Sequence, residues 1–181
     1  MKAGHTSRFT YTAASRIDEV HTSELPSARE WLSAKLQSTI FPLLEERFGG
    51  AGSAVEASQL AVYDSLIIRY DASRGGTQQP THRDGALMSV NLALGGEFEG
   101  GGTRFEGNGQ VLTMPRGHAM VHASGARHAG HPISSGERWV LVVFVLAKEA
   151  PQVTRIATSL SLSAPSLRLI AAPRLHLSAL P

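Results

Sequence analysis

The sequence predicts a mainly β domain of sandwich or jelly-roll type, supported by one helix on its N-terminal side. About seven short runs of β-type residues follow one another from Leu60 onwards, with glycine-rich or polar turns between them. One amphipathic stretch of helical period precedes these runs. The chain also contains 18 glycines, many of them in its middle third, as tight turns between short strands require.

The amphipathic stretch starts at Ser27 and ends before Gly49. Its apolar residues recur at three- and four-residue spacings, which is the period of a helix with one apolar face. They are Trp31, Leu32, Leu36, Ile40, Leu43 and Leu44. We expect this helix to cover one face of a sheet and to bend near Pro42, because proline lacks the backbone donor that a helix interior needs.

The predicted strands follow in the order LAVYDSLIIRY, LMSVNLAL, GTRFE, GQVLTM, HAMVHA, RHAGHPI and RWVLVVFVLA. The glycines of GGEFEGGGTRFEG have neither the spacing of a nucleotide-binding loop nor a helix after them, so this segment is expected to form a turn between strands, with FEGGGTRF as a hairpin. The segment PISSGE is expected to form a second, hairpin-like turn before the last strand. No internal repeat period is visible.

A chain of 181 residues fits one domain. We predict an enzymatic domain over residues 1–148, with its core at 60–147. Residues 149–181 are built largely of Ser, Leu, Ala and Pro, without a clean helical or strand period. We therefore treat them as a tail with no assigned structure.

The composition excludes several classes of site. The chain has no cysteine, so disulfides, thiolate nucleophiles and Cys-ligated metals are ruled out, and any metal must be held by nitrogen and oxygen. Lys and Arg outnumber Asp and Glu by only 17 to 15, which argues against a nucleic-acid partner. The N-terminus lacks the apolar segment of a secretory signal, and the run Trp139–Ala147 is far shorter than the ~20 residues of a membrane helix. We expect a cytoplasmic protein without a membrane partner; its oligomeric state stays open.

The segment THRDG carries the first candidate site. In an extended strand, His82 and Asp84 would point the same way and could begin a metal site. A chance match is the alternative, because a tripeptide of this kind has little specificity. A kinase catalytic loop is excluded, since it requires an Asn five residues after the Asp, where Ser89 stands.

A second histidine and an arginine follow downstream. His128 precedes the PISSGE turn and Arg138 opens the last strand, so both can reach one cavity. With His82 and Asp84, His128 would complete a two-histidine, one-carboxylate set that leaves open positions on an octahedral iron(II) for a 2-oxo acid and dioxygen. Arg138 suits the distal carboxylate of that acid, because its planar guanidinium binds carboxylates in a bidentate fashion.

Other histidines compete for the third ligand position. His131 precedes a proline and lies seven residues before Arg138, whereas His128 lies ten before it. His118 and His122 share a face only if their strand is regular, and such histidines are more often hydrogen-bonded core residues than ligands. We favour His128.

The segments RYDASRGGTQQPTHRDGALMSVNLALGGEFEGGGTRFE and LTMPRGHAMVHASGARHAGHPISSGERWVLVVFV together resemble the iron(II)- and 2-oxoglutarate-dependent dioxygenases of the prolyl 4-hydroxylase and procollagen lysyl hydroxylase type. The resemblance covers roughly Leu60 to Leu146 and rests on several motifs in the family's order: the His-x-Asp, the FEGGGTRF segment, the PRG turn and the ten-residue interval from His to Arg. It implies a double-stranded β-helix, the jelly roll of this family, behind an N-terminal supporting helix.

The resemblance also implies roles for individual residues. Iron(II) would be bound by His82, Asp84 and His128, and the distal carboxylate of 2-oxoglutarate by Arg138. Tyr70 and Asn91 match positions that contact this co-substrate in the lysyl hydroxylase branch. Each also has an ordinary structural interpretation, Tyr70 as a core aromatic and Asn91 as a polar residue satisfied by a neighbouring strand.

The implied activity is oxidative decarboxylation of 2-oxoglutarate to succinate, coupled to hydroxylation of an unactivated C–H bond, with ascorbate as reductant. The implied substrate is a prolyl or lysyl side chain in a protein or peptide, and a free amino acid stays open. Two other classes remain: a non-catalytic jelly-roll binding module, and a metal-dependent hydrolase or isomerase of cupin type. Arg138 argues against the cupin-type hydrolase or isomerase, since such enzymes need no guanidinium at this position.

Overall fold

Nine strands and one interrupted helix make up the part of the chain that the computed structural model describes, residues 15–51, 53 and 55–148. The strands are β1 (Asp18–His21), β2 (Leu60–Asp71), β3 (Met88–Gly95), β4 (Phe98–Gly100), β5 (Thr103–Phe105), β6 (Val111–Leu112), β7 (Ala119–Ala123), β8 (His128–Gly130) and β9 (Ile133–Ala147). Each of the seven predicted runs contains a strand, whereas β1 and β4 were not predicted. No helix in these residues is long and apolar enough to cross a bilayer.

The strands form two antiparallel sheets. The larger sheet has the order β1-β2-β9-β3-β7, and β4 pairs with the first part of β9. The smaller sheet has the order β6-β5-β8. Along the chain, β3 and β4 lie in the larger sheet, β5 and β6 in the smaller one, and β7, β8 and β9 alternate between the two. This repeated crossing between two sheets is the arrangement of a double-stranded β-helix and confirms the predicted fold class.

The predicted helix consists of α1 (Pro26–Lys35), a π-helical turn (Leu36–Ile40) and α2 (Phe41–Phe48). The turn lies directly before Pro42, and the backbone N–H of Phe41 donates to the Leu36 carbonyl five residues earlier. A proline has no N–H to continue the normal ladder, so the interruption stands where the sequence predicts a bend.

The helix covers the outer face of the larger sheet. One apolar cluster joins its side chains to those of β3, β7 and β9; the buried helix residues in it are Trp31, Leu32, Leu36, Ile40, Phe41 and Leu44. From β9 this cluster takes Leu141, Val143 and Val145, the residues at every second position. The alternate residues Val140 and Phe144 belong to a second cluster on the inner face, so both faces of this strand are buried.

A bulge in β2 decides which of its residues face inwards. The pairing register with β9 shifts between Val62 and Asp64, so one extra residue stands there. Before the bulge Leu60 packs in the outer cluster, and after it the even-numbered residues Leu66 and Ile68 pack in the inner one. Without the extra residue, strict alternation would have turned Leu66, Ile68 and Tyr70 towards the helix.

Both predicted hairpins are wrong. β4 pairs with β9 whereas β5 pairs with β6 and β8, so the glycines between β4 and β5 carry the chain from one sheet to the other. Gly100, Gly101 and Gly102 have φ angles of 76°, 71° and 109°, which residues with a Cβ rarely adopt. Likewise residues 133–137 of PISSGE extend β9 rather than turn, while β8 before them lies in the smaller sheet.

The predicted tail at 149–181 lies outside the described residues. The last strand, β9, ends at Ala147. The next residue, Lys148, donates its backbone N–H to the Gln59 carbonyl and its Nζ to the Ser58 carbonyl, at 2.8 and 2.9 Å. The end of β9 is thereby tied to the start of β2.

Candidate metal and co-substrate site

A narrow cavity lies between the inner faces of the two sheets. Its walls come from β1, β2, β3, β5, β8, β9 and the segment that leads into β3. The sequence-predicted site residues all line it: Tyr70, His82, Asp84, Asn91, His128 and Arg138. The fold therefore brings together in space six residues that are spread over 69 positions of the chain.

His82 lies directly beside His128 at the β8 edge of the smaller sheet. They form an isolated antiparallel bridge in which each backbone N–H donates to the other's carbonyl, at 2.9 and 3.0 Å. Residues paired in this way present their side chains on the same face. Their ring centroids are accordingly 4.4 Å apart.

Asp84 completes the cluster from the same segment as His82. Its Oδ1 lies 3.4 Å from His82 Nε2, and its Oδ2 lies 3.6 Å from His128 Nε2. One ligand atom from each of the three side chains falls within 4.8 Å of the others. Cis ligands at metal distances of about 2.1 Å are about 3 Å apart, so only small side-chain shifts would be needed to close this set on an ion.

Both histidines are held by their other ring nitrogen. His82 Nδ1 lies 2.8 Å from the Pro80 carbonyl, and His128 Nδ1 lies 2.9 Å from the Ala126 carbonyl. A carbonyl can only accept, so each Nδ1 carries the proton and donates it. In a neutral ring the lone pair is thereby left on Nε2, the atom nearest Asp84, as a metal ligand requires.

Asp84 is fixed by a hydroxyl pair on the inner face. Ser89 Oγ donates to Asp84 Oδ2 and lies 2.8 Å from Ser124 Oγ. The backbone N–H of Asp84 donates to the Ser124 carbonyl at 2.9 Å. Asp84 is thus positioned from both its side chain and its backbone.

The electrostatics of the cluster favour an anionic Asp84 and a neutral His128. Burial opposes the charge of Asp84, but bonds from His82 and Ser89 and the neighbouring His128 outweigh it and lower the pKa of the carboxyl. Burial lowers the pKa of His128. Burial also acts on His82, but the bond to Asp84 prevails and raises its pKa. Two nitrogens and one oxygen suit iron(II), so the residues present fit the expected ion.

Arg138 lies in the same cavity and is 7% exposed. Its guanidinium carbon lies 5.0 Å from the centroid of the Tyr70 ring, and burial lowers its pKa. Among the described residues no carboxylate acts on it; the group that does is the Tyr70 hydroxyl. A buried guanidinium without an anion is costly, so this position fits a ligand that brings a carboxylate.

Tyr70 and Asn91 lie on the inner face of β2 and β3, the two strands that flank β9, and Asn91 pairs with Val142. Tyr70 pairs directly with Arg138 across β2 and β9, and its hydroxyl donates to Gln79 Oε1 at 3.1 Å. Burial raises the pKa of Tyr70, which keeps the hydroxyl protonated. Asn91 is 6% exposed and lines the cavity from β3.

The competing histidines lie elsewhere. His131 lines a groove on the protein surface and not the inner cavity, and His118 precedes β7. His122 is buried on the inner face, with its ring centroid 4.4 Å from that of His128. Burial lowers its pKa to about 4. It is therefore a neutral packing partner of His128, outside the set of potential metal ligands.

Three further polar residues that the site uses or exposes, Ser89, Gln79 and Glu19, were not predicted. Ser89 stood out in the sequence only as the residue that breaks a kinase pattern, and Gln79 only as part of a polar turn. Glu19 is the third, and it reaches the cavity from the unpredicted strand β1. In the sequence Glu19 is an acidic residue between Asp18 and Val20, and this context by itself predicts no functional role.

The curated proteins that this chain is similar to include a lysine hydroxylase and an iron-dependent oxygenase domain protein. The chain is 29% identical over 133 residues to the human multifunctional procollagen lysine hydroxylase and glycosyltransferase LH3, covering 70% of this chain and 17% of that protein. It is 39% identical over 98 residues to the human 2-oxoglutarate and iron-dependent oxygenase domain-containing protein 2, covering 49% of this chain and 28% of that protein. The chain thus spans less than a third of the length of these relatives. No protein-family model matches the sequence.

Solved structures support the fold. An oxidoreductase of the 2OG-Fe(II) oxygenase family from Burkholderia pseudomallei superposes with a TM-score of 0.57 at 18% identity, over 74% of this chain and 69% of its own. The non-heme alpha-ketoglutarate-dependent epimerase SnoN from nogalamycin biosynthesis gives a TM-score of 0.57 at 15% identity, over 87% and 73%. The chain is thus similar in sequence to a procollagen lysine hydroxylase and to a 2-oxoglutarate and iron-dependent oxygenase domain protein, and it has the fold of solved 2-oxoglutarate-dependent enzymes.

Proposed function

We propose that this chain hydroxylates an unactivated C–H bond of a prolyl or lysyl side chain in a protein or peptide, with 2-oxoglutarate as co-substrate. The observation that carries the proposal is one buried cavity with three side chains that could hold a metal ion and with a guanidinium that has no carboxylate partner among the described residues. The printed name of the lysine hydroxylase relative supports a protein substrate.

The metal would be held by His82, Asp84 and His128, and it supplies the activation of dioxygen. In the overall reaction one oxygen atom of O₂ enters the substrate as a hydroxyl and the other enters succinate, while the C1 carboxylate of 2-oxoglutarate leaves as carbon dioxide. Ascorbate would keep the iron reduced between turnovers.

The protein's own residues bind and orient. Arg138 would pair with the distal carboxylate of 2-oxoglutarate, and Tyr70 and Asn91 would contact the co-substrate beside it. The Tyr70 hydroxyl donates to Gln79 Oε1 in this structure and would turn its single O–H to the co-substrate, because a carboxylate can only accept. The apolar side chains that line the same cavity, Ile68, Val140 and Phe144 among them, keep water away and strengthen these polar contacts.

The test is succinate formation from 2-oxoglutarate by the purified full chain with iron(II), ascorbate and air, with and without lysyl and prolyl peptides. We expect slow succinate formation without peptide and faster formation with an accepted one. A binding module or a cupin-type hydrolase would form none under either condition.

The matched variants are His128→Ala and His131→Ala. The first removes a proposed ligand and should abolish both iron binding and succinate formation. The second removes a histidine three positions away, outside the inner cavity, and should leave both largely intact. The reverse result would mean that His131 is the third ligand.

A further inference from the structure

The cavity contains a carboxylate that the proposed reaction does not use. Both side-chain oxygens of Glu19 are buried and have no hydrogen-bond partner among the described residues. Glu19 lines the same cavity as the metal-ligand cluster and Arg138.

The register of β1 directs Glu19 towards this cavity. Glu19 pairs with Ile68 and His21 pairs with Leu66, so these residues share the inner face of the sheet. Asp18 and Val20 point to the other face.

The strand that carries Glu19 is firmly held on both sides of it. Asp18 Oδ2 accepts a bond of 2.6 Å from Arg69 Nη2, and His21 Nδ1 lies 2.9 Å from Asp64 Oδ1. These neighbours are fully engaged, whereas the Glu19 carboxylate between them is not. Its position is therefore set by the fold and its partner is left to a ligand.

Glu19 and Arg138 stand on opposite sides of β2. Arg138 pairs with Tyr70 from β9, and Glu19 pairs with Ile68 from β1. With strands about 4.8 Å apart and a rise of about 3.4 Å per residue, their backbone positions are separated by about 12 Å. Among the described residues no ion pair joins the two side chains, so one charge suits the anionic co-substrate and the other is left for a different molecule.

We infer that Glu19 is a specificity-determining residue that binds the cationic nitrogen of an alkylammonium side chain, which selects a lysyl over a prolyl substrate. The inference rests on the proposed function. A buried carboxylate without a partner is unfavourable, and an ammonium brought by the substrate compensates it in a site shielded from water. A prolyl ring carries no charge and would leave the carboxylate unpaired.

The test uses the full chain with two blocked peptides that differ at one residue, lysine in the first and norleucine in the second. Norleucine keeps the aliphatic stem and lacks the ammonium. Binding is measured by calorimetry without oxygen, in the presence of iron(II) and 2-oxoglutarate. We expect the unmodified protein to bind the lysyl peptide at least about tenfold more tightly, since a charge-assisted bond replaces an unpaired group.

Glu19→Gln keeps the shape of the side chain and removes its charge, so the preference for the lysyl peptide should fall to near unity. Glu19→Asp keeps the charge and should retain part of the preference. Glu30→Gln, on the exposed side of α1, is the matched control and should change nothing. In turnover, Glu19→Gln should raise KM for the lysyl peptide more than it lowers kcat, and leave 2-oxoglutarate affinity unchanged.

Equal binding of the two peptides by the unmodified protein, or a preference that survives Glu19→Gln, would overturn the inference. Failure of the proposed function has a different signature, the absence of succinate formation by the unmodified protein with any peptide. The binding comparison does not depend on turnover, so it decides the role of Glu19 in either case.

Discussion

At the scale of single residues, the site separates side chains that are satisfied within the protein from side chains that are not. Asp84 is bonded by Ser89 and sits beside two histidines whose second nitrogens are engaged. The Arg138 side chain and the two carboxylate oxygens of Glu19 are buried, yet neither has a partner of opposite charge among the described residues. Arg138 and Glu19, rather than the cluster of His82, Asp84 and His128, therefore indicate which molecules the cavity binds.

Replacing Arg138 gives the residue-scale prediction. Arg138→Ala should weaken 2-oxoglutarate binding by about ten- to a hundredfold, because a hydrogen bond to a charged group contributes about 1.5–3 kcal/mol. Iron affinity should hardly change, since no proposed ligand is touched. Arg138→Lys should have an affinity for 2-oxoglutarate between those of the unmodified protein and Arg138→Ala, because lysine keeps the charge and loses the planar fork. Titration with 2-oxoglutarate in the absence of oxygen measures all three proteins; equal affinities would show that Arg138 does not bind the co-substrate.

The candidate site residues that the sequence predicted are those with a regular spacing. His82 and Asp84 are two positions apart, and His128 and Arg138 are ten apart, so a short pattern contains each pair. Ser89 and Glu19 have no such pattern, because their importance arises from strand pairing with distant parts of the chain. Contacts of that kind are a property of the register and cannot be derived from local composition.

At the scale of elements, the sequence predicted where strands lie better than how they are joined. Alternating apolar residues mark β2, β3, β7 and β9, and glycines mark the links between strands. The sequence of a glycine-rich link does not predict whether the next strand joins the same sheet or the opposite one. Both hairpin predictions failed for that reason. The bulge in β2 is equally invisible, because one extra residue changes the face of a strand without changing its composition.

One close approach between elements provides the next prediction. A Cβ on Gly130 in β8 would lie 2.5 Å from the Tyr70 hydroxyl and 3.0 Å from its ring, and Tyr70 is too buried to move away freely. Gly130→Ala should therefore displace Tyr70 and weaken 2-oxoglutarate binding several-fold while the protein stays folded. Gly107→Ala is the control, because a Cβ there meets no atom within 4 Å. Unchanged co-substrate affinity in both variants, measured by the same titration, would mean that Tyr70 does not contact it.

At the scale of the whole molecule, the last described residue, Lys148, contacts the start of β2. β9 runs through the middle of the larger sheet, with β2 on one side and β3 on the other. Lys148 then bonds to residues at the start of β2. The two apolar clusters that fill the domain are built from residues 17–147.

We therefore predict that a chain ending at Lys148 folds and binds iron(II) with 2-oxoglutarate much as the full chain does. Its unfolding midpoint in urea should lie close to that of the full chain, because no residue of either cluster is removed. Limited proteolysis of the full chain should also leave a stable core with its end near this boundary. An insoluble shortened chain, together with a protease-resistant full chain, would show that residues 149–181 contribute to the core.

The reciprocal bonds between His82 and His128 link metal capture to the correctness of folding. If the two segments slipped past each other by one residue, one histidine would turn to the opposite face and the ligand set would be lost. An ion that binds only the aligned form stabilises that form at the expense of every misaligned one. Metal binding would then favour the correct alignment of the two segments. Iron supplied during synthesis would raise the yield of correctly folded protein.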